Sequence, residues 1–597
     1  MQKFETKKGF SVRAYKGDAM TLLAFDLAAP QRKNIAGFTI YYTVKGKKGC
    51  YINNRLIFSA TFLKNNPQIP IKERNSTLYS PLQKMNWVHV PNTDIVTRKA
   101  VFGDYVYEIT PRYIEKGKLL DLDKSLTIKL IIDVSPFDIN KIKVAFTRGF
   151  VSSVAYTQRF GLTNNKVRPA AKAANKLLFD VRQKSGASKR WDDKTKQYVL
   201  VDYTFEEQHD WLGWQARKTI IDFLDAAIKD KKVSLKVFAF DLDEPEVAKR
   251  LLTLADAGRL KIIVDNAGKH RGTGSFETAF VAAFKKTNAD KNDVFRGKFG
   301  ALSHSKVFIQ LKNGQPDKVL TGSTNFSTNG LYINANHVLV FDYPEVAKLY
   351  EEVFDGAFGK KNMPKFKNSL FPKTDYSFKN PKMTVTFAPH QKADADRIFT
   401  RLAGRIDTAQ SDLLFAIMND KSKSGILDAV QRSVRNGNVF TYGITDTIGK
   451  TNKDYSVFLY RPDATQGIRI AAKGVQNILP PPLGQVPNIS GYAIHHKFVV
   501  VDFKGKNPVV FCGSSNLAYG PEQKNGDNLL EIYDKDVVTA FAMEALRLVD
   551  HFHWRNYTDL KSKPMNLDDL TRAKPWSEKW FTKGNLYCRQ RELYIKP

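Results

Sequence analysis

Two short phrases in the chain bring an imidazole, an ammonium and an amide together at matched spacing. The first is Ser303-His304-Ser305-Lys306, running on to Leu311 and followed by Gly322-Ser323-Thr324-Asn325. The second is Ile494-His495-His496-Lys497, running on to Asp502 and followed by Cys512-Gly513-Ser514-Ser515-Asn516. A His-x-Lys pair at the head of a strand sends both side chains to one face, because side chains alternate with period two. The glycine permits close backbone approach, and the asparagine adds a neutral donor. Two copies around one pocket supply two histidines, two lysines and two asparagines. That set can cleave a phosphodiester with no metal or other cofactor. One imidazole attacks phosphorus, the other protonates the leaving oxygen, and the lysines and asparagines hold the charged oxygens.

Other chemistry-bearing residues read as structural. His390-Gln-Lys392 repeats the spacing, but it precedes a helix and has no Gly-Ser-x-Asn after it. His209 likewise precedes a helix, and His496 alternates away from the face that His495 uses. His551 and His553, with Trp554, lie near a helix end. Asp241-Leu-Asp243-Glu244 leads from a strand into a helix, which suits N-capping better than metal binding. Cys512 sits in an apolar strand and reads as a core thiol.

The elements that must position these residues fall into a front part and a duplicated part. Residues 1–160 read as an all-β sandwich: short runs rich in Val, Ile, Tyr, Phe and Thr are separated by turns. Gly103 to Pro111 resembles a late strand of an immunoglobulin or fibronectin type III domain, with Tyr105 and Tyr107 on one face. Residues 161–200 form a basic connector, in which Lys166, Arg168, Lys172 and Lys176 are candidate contacts to a nucleic-acid backbone. Residues 201–370 and 371–597 then repeat one order of elements. Trp211 to Ile228 is helical, Val233 to Phe240 a strand, Glu244 to Ala257 a helix and Leu260 to Val264 a strand. Asp394 to Ile406, Asp412 to Ile417, Gly425 to Asn436 and Val439 to Ile444 follow the same sequence. Such alternation implies a sheet with helices on its faces. The aromatic and basic stretch Pro575 to Lys583 reads as a tail packed on the second half.

With these motifs the chain resembles the phospholipase D superfamily, whose His-Lys-Asp motif occurs twice per active site. The resemblance covers roughly residues 201–555 and implies two α/β halves sharing one pseudo-twofold active site. His495, Lys497, Asp502, Gly513, Ser514 and Asn516 match in full. The first copy has Leu311 where the pattern has Asp, while His304, Lys306, Gly322, Ser323 and Asn325 match. The resemblance implies that this Asp supports the fold, and tyrosyl-DNA phosphodiesterases are similar in lacking it. It also implies that a carboxylate beyond Gly-Ser-x-Asn orients the histidine. On that basis Asp527 is expected to partner His495, and Asn336 to partner His304. This favours His495 as nucleophile and His304 as acid, although the family more often implies the opposite order.

Composition narrows the substrate. The chain has 597 residues, 42% of them hydrophobic, and a net charge of +33. That is enough apolar material for sizeable cores. Three cysteines, Cys50, Cys512 and Cys588, exclude a disulfide framework and a multi-cysteine zinc site. No apolar run reaches about 18 residues, and the first 15 residues show no secretory pattern, so a cytoplasmic location is expected. Residues 1–200 hold 36 Lys and Arg against 15 Asp and Glu, most of the excess. A field of that sign suits nucleic acid first and an anionic membrane second. The expected function is a metal-independent nuclease for DNA or RNA working through a phosphohistidine. The alternatives are a phospholipase D for phosphatidyl lipids and a catalytically silent binding scaffold. A monomer suffices for the site.

Overall fold

The computed structural model describes residues 2–54, 56–91, 99–149, 154–161, 167–169, 177–192, 194–359, 362–418, 425–437, 439–448, 455–461, 464–471, 494–556 and 566–596. The chain divides into two compact units. One comprises Met1–Phe137 with Asp559–Pro597, the other Asp138–Thr558.

The first unit is strand-rich. Gln2–Lys7, Phe10–Lys16, Thr21–Leu27 and Asn86–His89 form one antiparallel sheet. Cys50–Tyr51, Ile35–Val44, Gly103–Glu115, Lys118–Leu119 and Ile128–Val134 form a second. Alternation explains why these segments are strands: Ile128, Leu130, Ile132 and Val134 point inward, while Lys129 and Ile131 point out. Residues of both sheets share one core around Phe10, Phe25, Phe38 and Tyr42. Tyr105 and Tyr107 share the inner face as expected, and the Tyr105 hydroxyl donates to the Val101 carbonyl at 2.7 Å.

The C-terminal aromatics belong to this core, which corrects the expectation that they pack on the second half. Trp576 and Trp580 are buried against Phe38 and its neighbours, and the Trp576 indole donates to the Ile35 carbonyl at 2.9 Å. A buried Trp needs an acceptor for its N–H. The end of Ile35–Val44 supplies one.

The second unit holds two large sheets, of eight and nine strands, whose first seven strands correspond in order. In the first the order is Phe137–Ile139, Ile142–Phe146, His337–Phe341, Gln315–Gly322, Lys306–Lys312, Val233–Ala239, Leu260–Asp265 and Val294–Gly297. In the second it is Tyr376–Lys379, Lys382–Phe387, Asn528–Ile532, Val509–Gly513, Lys497–Val501, Asp412–Met418, Phe440–Ile448, Tyr455–Arg461 and Ala464–Ala471. In each sheet the His-x-Lys strand lies between the strand ending at Gly-Ser-x-Asn and a strand that pairs parallel with the next one out. The helices Pro245–Asp256 and Gly425–Asn436 are those parallel crossovers.

This correspondence moves the front boundary. Ile142–Phe146 pairs with His337–Phe341 as Lys382–Phe387 pairs with Asn528–Ile532. It is therefore a strand of the first half's sheet, next to its edge, not part of a front domain ending at 160. The stretch expected as a connector is an insertion between strands of that half. Its described parts include the helix Val154–Phe160 and the hairpin Lys184–Asp192/Gln197–Thr204. The hairpin leads into Phe205–Lys229, whose start is fixed by a reciprocal cap between Thr204 and Glu207.

Candidate active site

Each histidine enters the site at the head of a buried strand. Lys306 and Lys497 open the strands Lys306–Lys312 and Lys497–Val501, and both are buried with their histidines. The Lys306 ammonium donates to the His304 carbonyl and lies 4.6 Å from the centre of the Phe240 ring. Phe240 also meets the His304 ring edge-on, at 4.6 Å. The Lys497 ammonium donates to the His495 carbonyl at 2.9 Å and lies 3.3 Å from His495 Nε2.

The partners of the two histidines are exchanged relative to expectation. His304 Nδ1 donates to Asp527 Oδ1 at 2.6 Å, and His495 Nδ1 donates to Asn336 Oδ1 at 2.9 Å. Each half orients the other half's imidazole. The physical reason is how the halves adjoin. The Gly526 N–H donates to the Leu302 carbonyl at 2.8 Å, and the Ala301 N–H to the Lys524 carbonyl at 2.7 Å. The His495 N–H donates to the Ala335 carbonyl at 3.0 Å. The segment after each Gly-Ser-x-Asn thus runs beside the histidine of the opposite sheet. A spacing rule within one half cannot contain that contact.

The serines of Gly-Ser-x-Asn hold those segments in place. Ser323 Oγ accepts from the His337 N–H at 3.1 Å and donates to Asn336 Oδ1 at 2.8 Å. Ser514 Oγ accepts from the Asn528 N–H at 3.0 Å. Gly322 and Gly513 have φ of 149° and 128°, and a Cβ at either would lie within 2.5 Å of the carbonyl oxygen of His337 or Asn528. Only glycine fits both demands. Asn325 and Asn516 are buried, and the side-chain oxygen of each has no hydrogen-bond partner. The Asn325 amide donates to Asp241 Oδ2 at 3.3 Å.

Electrostatics mark the site as built for an anion. Burial pushes His304 down to about 4, and the Asp527 carboxylate opposes that shift without cancelling it. His495 is held well below the usual range by burial and then by Lys497, Lys306 and His304, with no carboxylate to oppose them. Burial lowers Lys306 to about 7 and, with the Lys306 charge, depresses Lys497 strongly. Burial alone would raise the Asp527 carboxyl, but His304 and Lys306 hold it below its ordinary value. An arriving phosphodiester would supply the missing countercharge.

Asp502 does not reach this site. Its Oδ1 accepts from the N–H groups of Gln410 and Ser411 at 2.7 and 2.8 Å, and its Oδ2 accepts from Arg405 at 2.9 Å. It ties the turn before Asp412–Met418 to the end of its own strand. The first half does the corresponding work differently. Asp230 accepts from the Lys232 N–H at 3.0 Å, and Arg259 binds the Ala227, Asp230 and Val233 carbonyls. Leu311 is therefore tolerated. Burial would raise the Asp502 carboxyl, but those N–H groups and Arg405 lower it. Its stabilisation is present above the unfolded-state value, about pH 4, and is lost as pH falls through the lowered one. Asp502→Ala is expected to cost about 2–4 kcal/mol above that pH, because it strands buried donors. Thermal unfolding checks this, with kcat of the folded fraction expected within about tenfold of wild type.

The remaining candidates are placed as follows. Arg168 does not face a backbone-binding surface: it pairs with Asp243 at 2.7 Å, donates to Thr328 Oγ1 at 3.0 Å and covers the Phe276 ring. Lys166, Lys172 and Lys176 lie outside the described residues. His390 Nδ1 donates to the Pro372 carbonyl at 2.6 Å, and His209 stacks on Tyr332 at 3.9 Å. His496 lies between His337 and Glu544, 3.3 and 3.1 Å away. Glu244 caps its helix through the Val247 N–H, as expected. Asp241 does not cap. It joins Asn325 and a group around His270, which no sequence spacing indicated. Phe240 was missed because an apolar residue closing a strand looks like core.

Residues 220–357 match the family model for the phospholipase D-like domain of cardiolipin synthase. Phosphatidylserine synthase of Haemophilus influenzae Rd KW20 is 12% identical, over 58% of this chain and 85% of that one, with a TM-score of 0.36. Polyphosphate kinase from Porphyromonas gingivalis is 13% identical, over 57% of this chain and 48% of that one, with a TM-score of 0.35. The chain thus spans about half the length of that kinase. A phospholipase D family member, Nuc, from Salmonella typhimurium is 23% identical, over 24% of this chain and 85% of that one, with a TM-score of 0.20. No curated protein matches the chain in sequence. Residues 220–357, which hold the first His-x-Lys phrase and its Gly-Ser-x-Asn, thus carry a phospholipase D-like domain.

Proposed function

We propose that the chain is a phosphodiesterase cleaving DNA or RNA through a covalent phosphohistidine on His304. One observation carries this reading. Both imidazoles have Nδ1 bonded to a residue of the opposite half, which fixes Nε2 as the reacting nitrogen of each ring, with the Lys497 ammonium 3.3 Å from His495 Nε2. Attack by His304 Nε2 on phosphorus makes that ring a cation, and the Asp527 carboxylate bonded to its Nδ1 offsets the charge, whereas His495 Nδ1 meets an amide oxygen. His495, braced by the neutral Asn336, hands its proton to the leaving oxygen and then takes one from the attacking water. Lys306, Lys497, Asn325 and Asn516 hold the non-bridging oxygens.

Nucleic acid is favoured over lipid by the net charge of +33. The lipid reading is kept because the matching family model is that of a cardiolipin synthase domain. Labelled DNA, RNA and phosphatidylcholine vesicles, each assayed with and without EDTA, separate the readings. Cleavage of DNA or RNA within about tenfold of its full rate in EDTA is expected, since histidines do the proton and group transfer. Headgroup release from vesicles with DNA and RNA intact would establish the lipid reading. Binding without turnover on any of the three would leave a silent scaffold.

A further inference from the structure

Behind Asn325 lies a second cluster of ligating groups, made by the ends of two strands and the first turn of a helix. Asp241 follows Val233–Ala239, His270 follows Leu260–Asp265, and Glu277 opens Phe276–Phe284. One donor atom from each lies within 4.8 Å of the others. His270 is 3% exposed, and its Nε2 has no hydrogen-bond partner. That nitrogen lies 3.5 Å from Asp241 Oδ1 and 3.7 Å from Glu277 Oε1. Both separations exceed a normal hydrogen bond. They suit two edges of a coordination polyhedron with bonds of about 2.0–2.2 Å.

The surrounding shell points the same way. His270 Nδ1 donates to Asp265 Oδ2 at 2.8 Å, which aims Nε2 at the other two carboxylates. Asp265 is itself fixed by the N–H groups of Ser303 and Ala267 at 2.6 and 3.0 Å. Glu277 Oε1 accepts from the Leu242 N–H at 3.2 Å. A carboxylate behind a histidine, itself held by backbone donors, is the arrangement that sets a metal-binding imidazole's tautomer and orientation. Asp241 Oδ2 takes the Asn325 amide, leaving Oδ1 turned to His270.

We propose that Asp241, His270 and Glu277 bind one divalent transition-metal ion of the Zn2+ class. One imidazole with two carboxylates selects such an ion over Mg2+ and Ca2+, which prefer all-oxygen sites. Solvent completes the coordination. No step of phosphoryl transfer runs through this ion. It clamps Asp241, which holds Asn325, and His270, whose partner Asp265 holds the amide of Ser303 beside His304. The inference stands on these contacts and not on the substrate assignment. The competing occupant is a proton. Burial alone would lower His270, but the neighbouring Asp241, Asp265 and Glu277 carboxylates push it up to about 9, so an imidazolium also suits the cage.

Calorimetric titration of the full chain, stripped of metal, with Zn2+ alone and with Mg2+ alone tests the proposal. One Zn2+ per chain is expected, with a rise of about 5 °C in Tm at saturation and no response to Mg2+. Asp265→Asn is expected to weaken Zn2+ binding by about 10–100-fold. Glu277→Gln, with its circular dichroism unchanged, is expected to abolish the Tm rise. Should that variant not fold, Asp241→Asn serves in its place. Absence of Zn2+ binding to the wild type would assign the cage to the proton. Equal Zn2+ affinity in Glu277→Gln and Asp241→Asn would place the ion elsewhere, and either result overturns the proposal.

Discussion

His304→Ala is expected to lower turnover by about 10⁴-fold or more and to leave no covalent intermediate, whereas His495→Ala accumulates one. The difference follows from the two partners. A phosphorylated imidazole is a cation that must persist until water arrives. His304 has a carboxylate, Asp527 at 2.6 Å, to stabilise that charge. His495 meets an amide oxygen, which orients the ring without adding charge. Its task is the proton, worth about 10²–10⁴-fold. Leaving-group chemistry separates the roles. A nitrophenyl phosphodiester leaves without protonation, so His495→Ala should form its adduct at close to the wild-type rate and then stall. His304→Ala should fail with every leaving group. Acid quenching of a labelled substrate followed by peptide mapping reads both results. An adduct on His495, or one surviving in His304→Ala, would exchange the roles.

Asp527→Asn is expected to lower kcat by about 10³–10⁴-fold at neutral pH and to move the acid limb of kcat/KM downward. An amide can present its N–H₂ to Nδ1 and favour the wrong tautomer, and it offers no charge to the phosphorylated ring. The direction of the pH shift follows from the sign of the interaction. His304 reacts when neutral, and burial sets its value at about 4 while Asp527 pulls it upward. Removing that charge lets the value fall, so the limb near pH 4 moves to lower pH. Asn336→Ala removes an orienting contact only, and a loss below about tenfold is expected. A pH–rate series on both variants checks this. An acid limb that rises in Asp527→Asn, or activity within tenfold of wild type at pH 7, would remove Asp527 from the chemistry.

The positive field also has a new distribution. Read along the chain, most of the excess precedes the two motifs. The structural division at Phe137 reassigns part of it. Residues 138–200, with 14 Lys and Arg against 4 Asp and Glu, belong to the unit that holds the site. A separate gripping domain is then not needed to explain attraction of a polyanion. Arg168 drops out of the gripping role, since Asp243 already neutralises it. On the described hairpin of the insertion, Lys189, Lys194 and Lys196 are exposed, while Lys184 pairs with Asp202 at 2.9 Å.

The two His-x-Lys phrases and the strands that carry them were legible from residue order because their requirements are local. His-x-Lys needs only the two-residue alternation of a strand, and Gly-Ser-x-Asn needs only a glycine where an added Cβ would come within 2.5 Å of a carbonyl oxygen. The helices and strands of both halves were legible for the same reason: periodicity is written in neighbouring residues. Three things were not. Asp527 was assigned to His495 because both lie in the second half, yet it bonds His304, 223 residues away. Ile142–Phe146 was counted with the front strands because an insertion separates it from the rest of its half, and only its pairing with His337–Phe341 shows its place. Trp576 and Trp580 were set against the half they follow, although the core they fill was laid down by the first 137 residues. Each of these depends on contacts between segments distant in sequence. Such contacts are chosen by which buried donors and apolar faces remain open once local structure has formed, so no spacing along the chain records them.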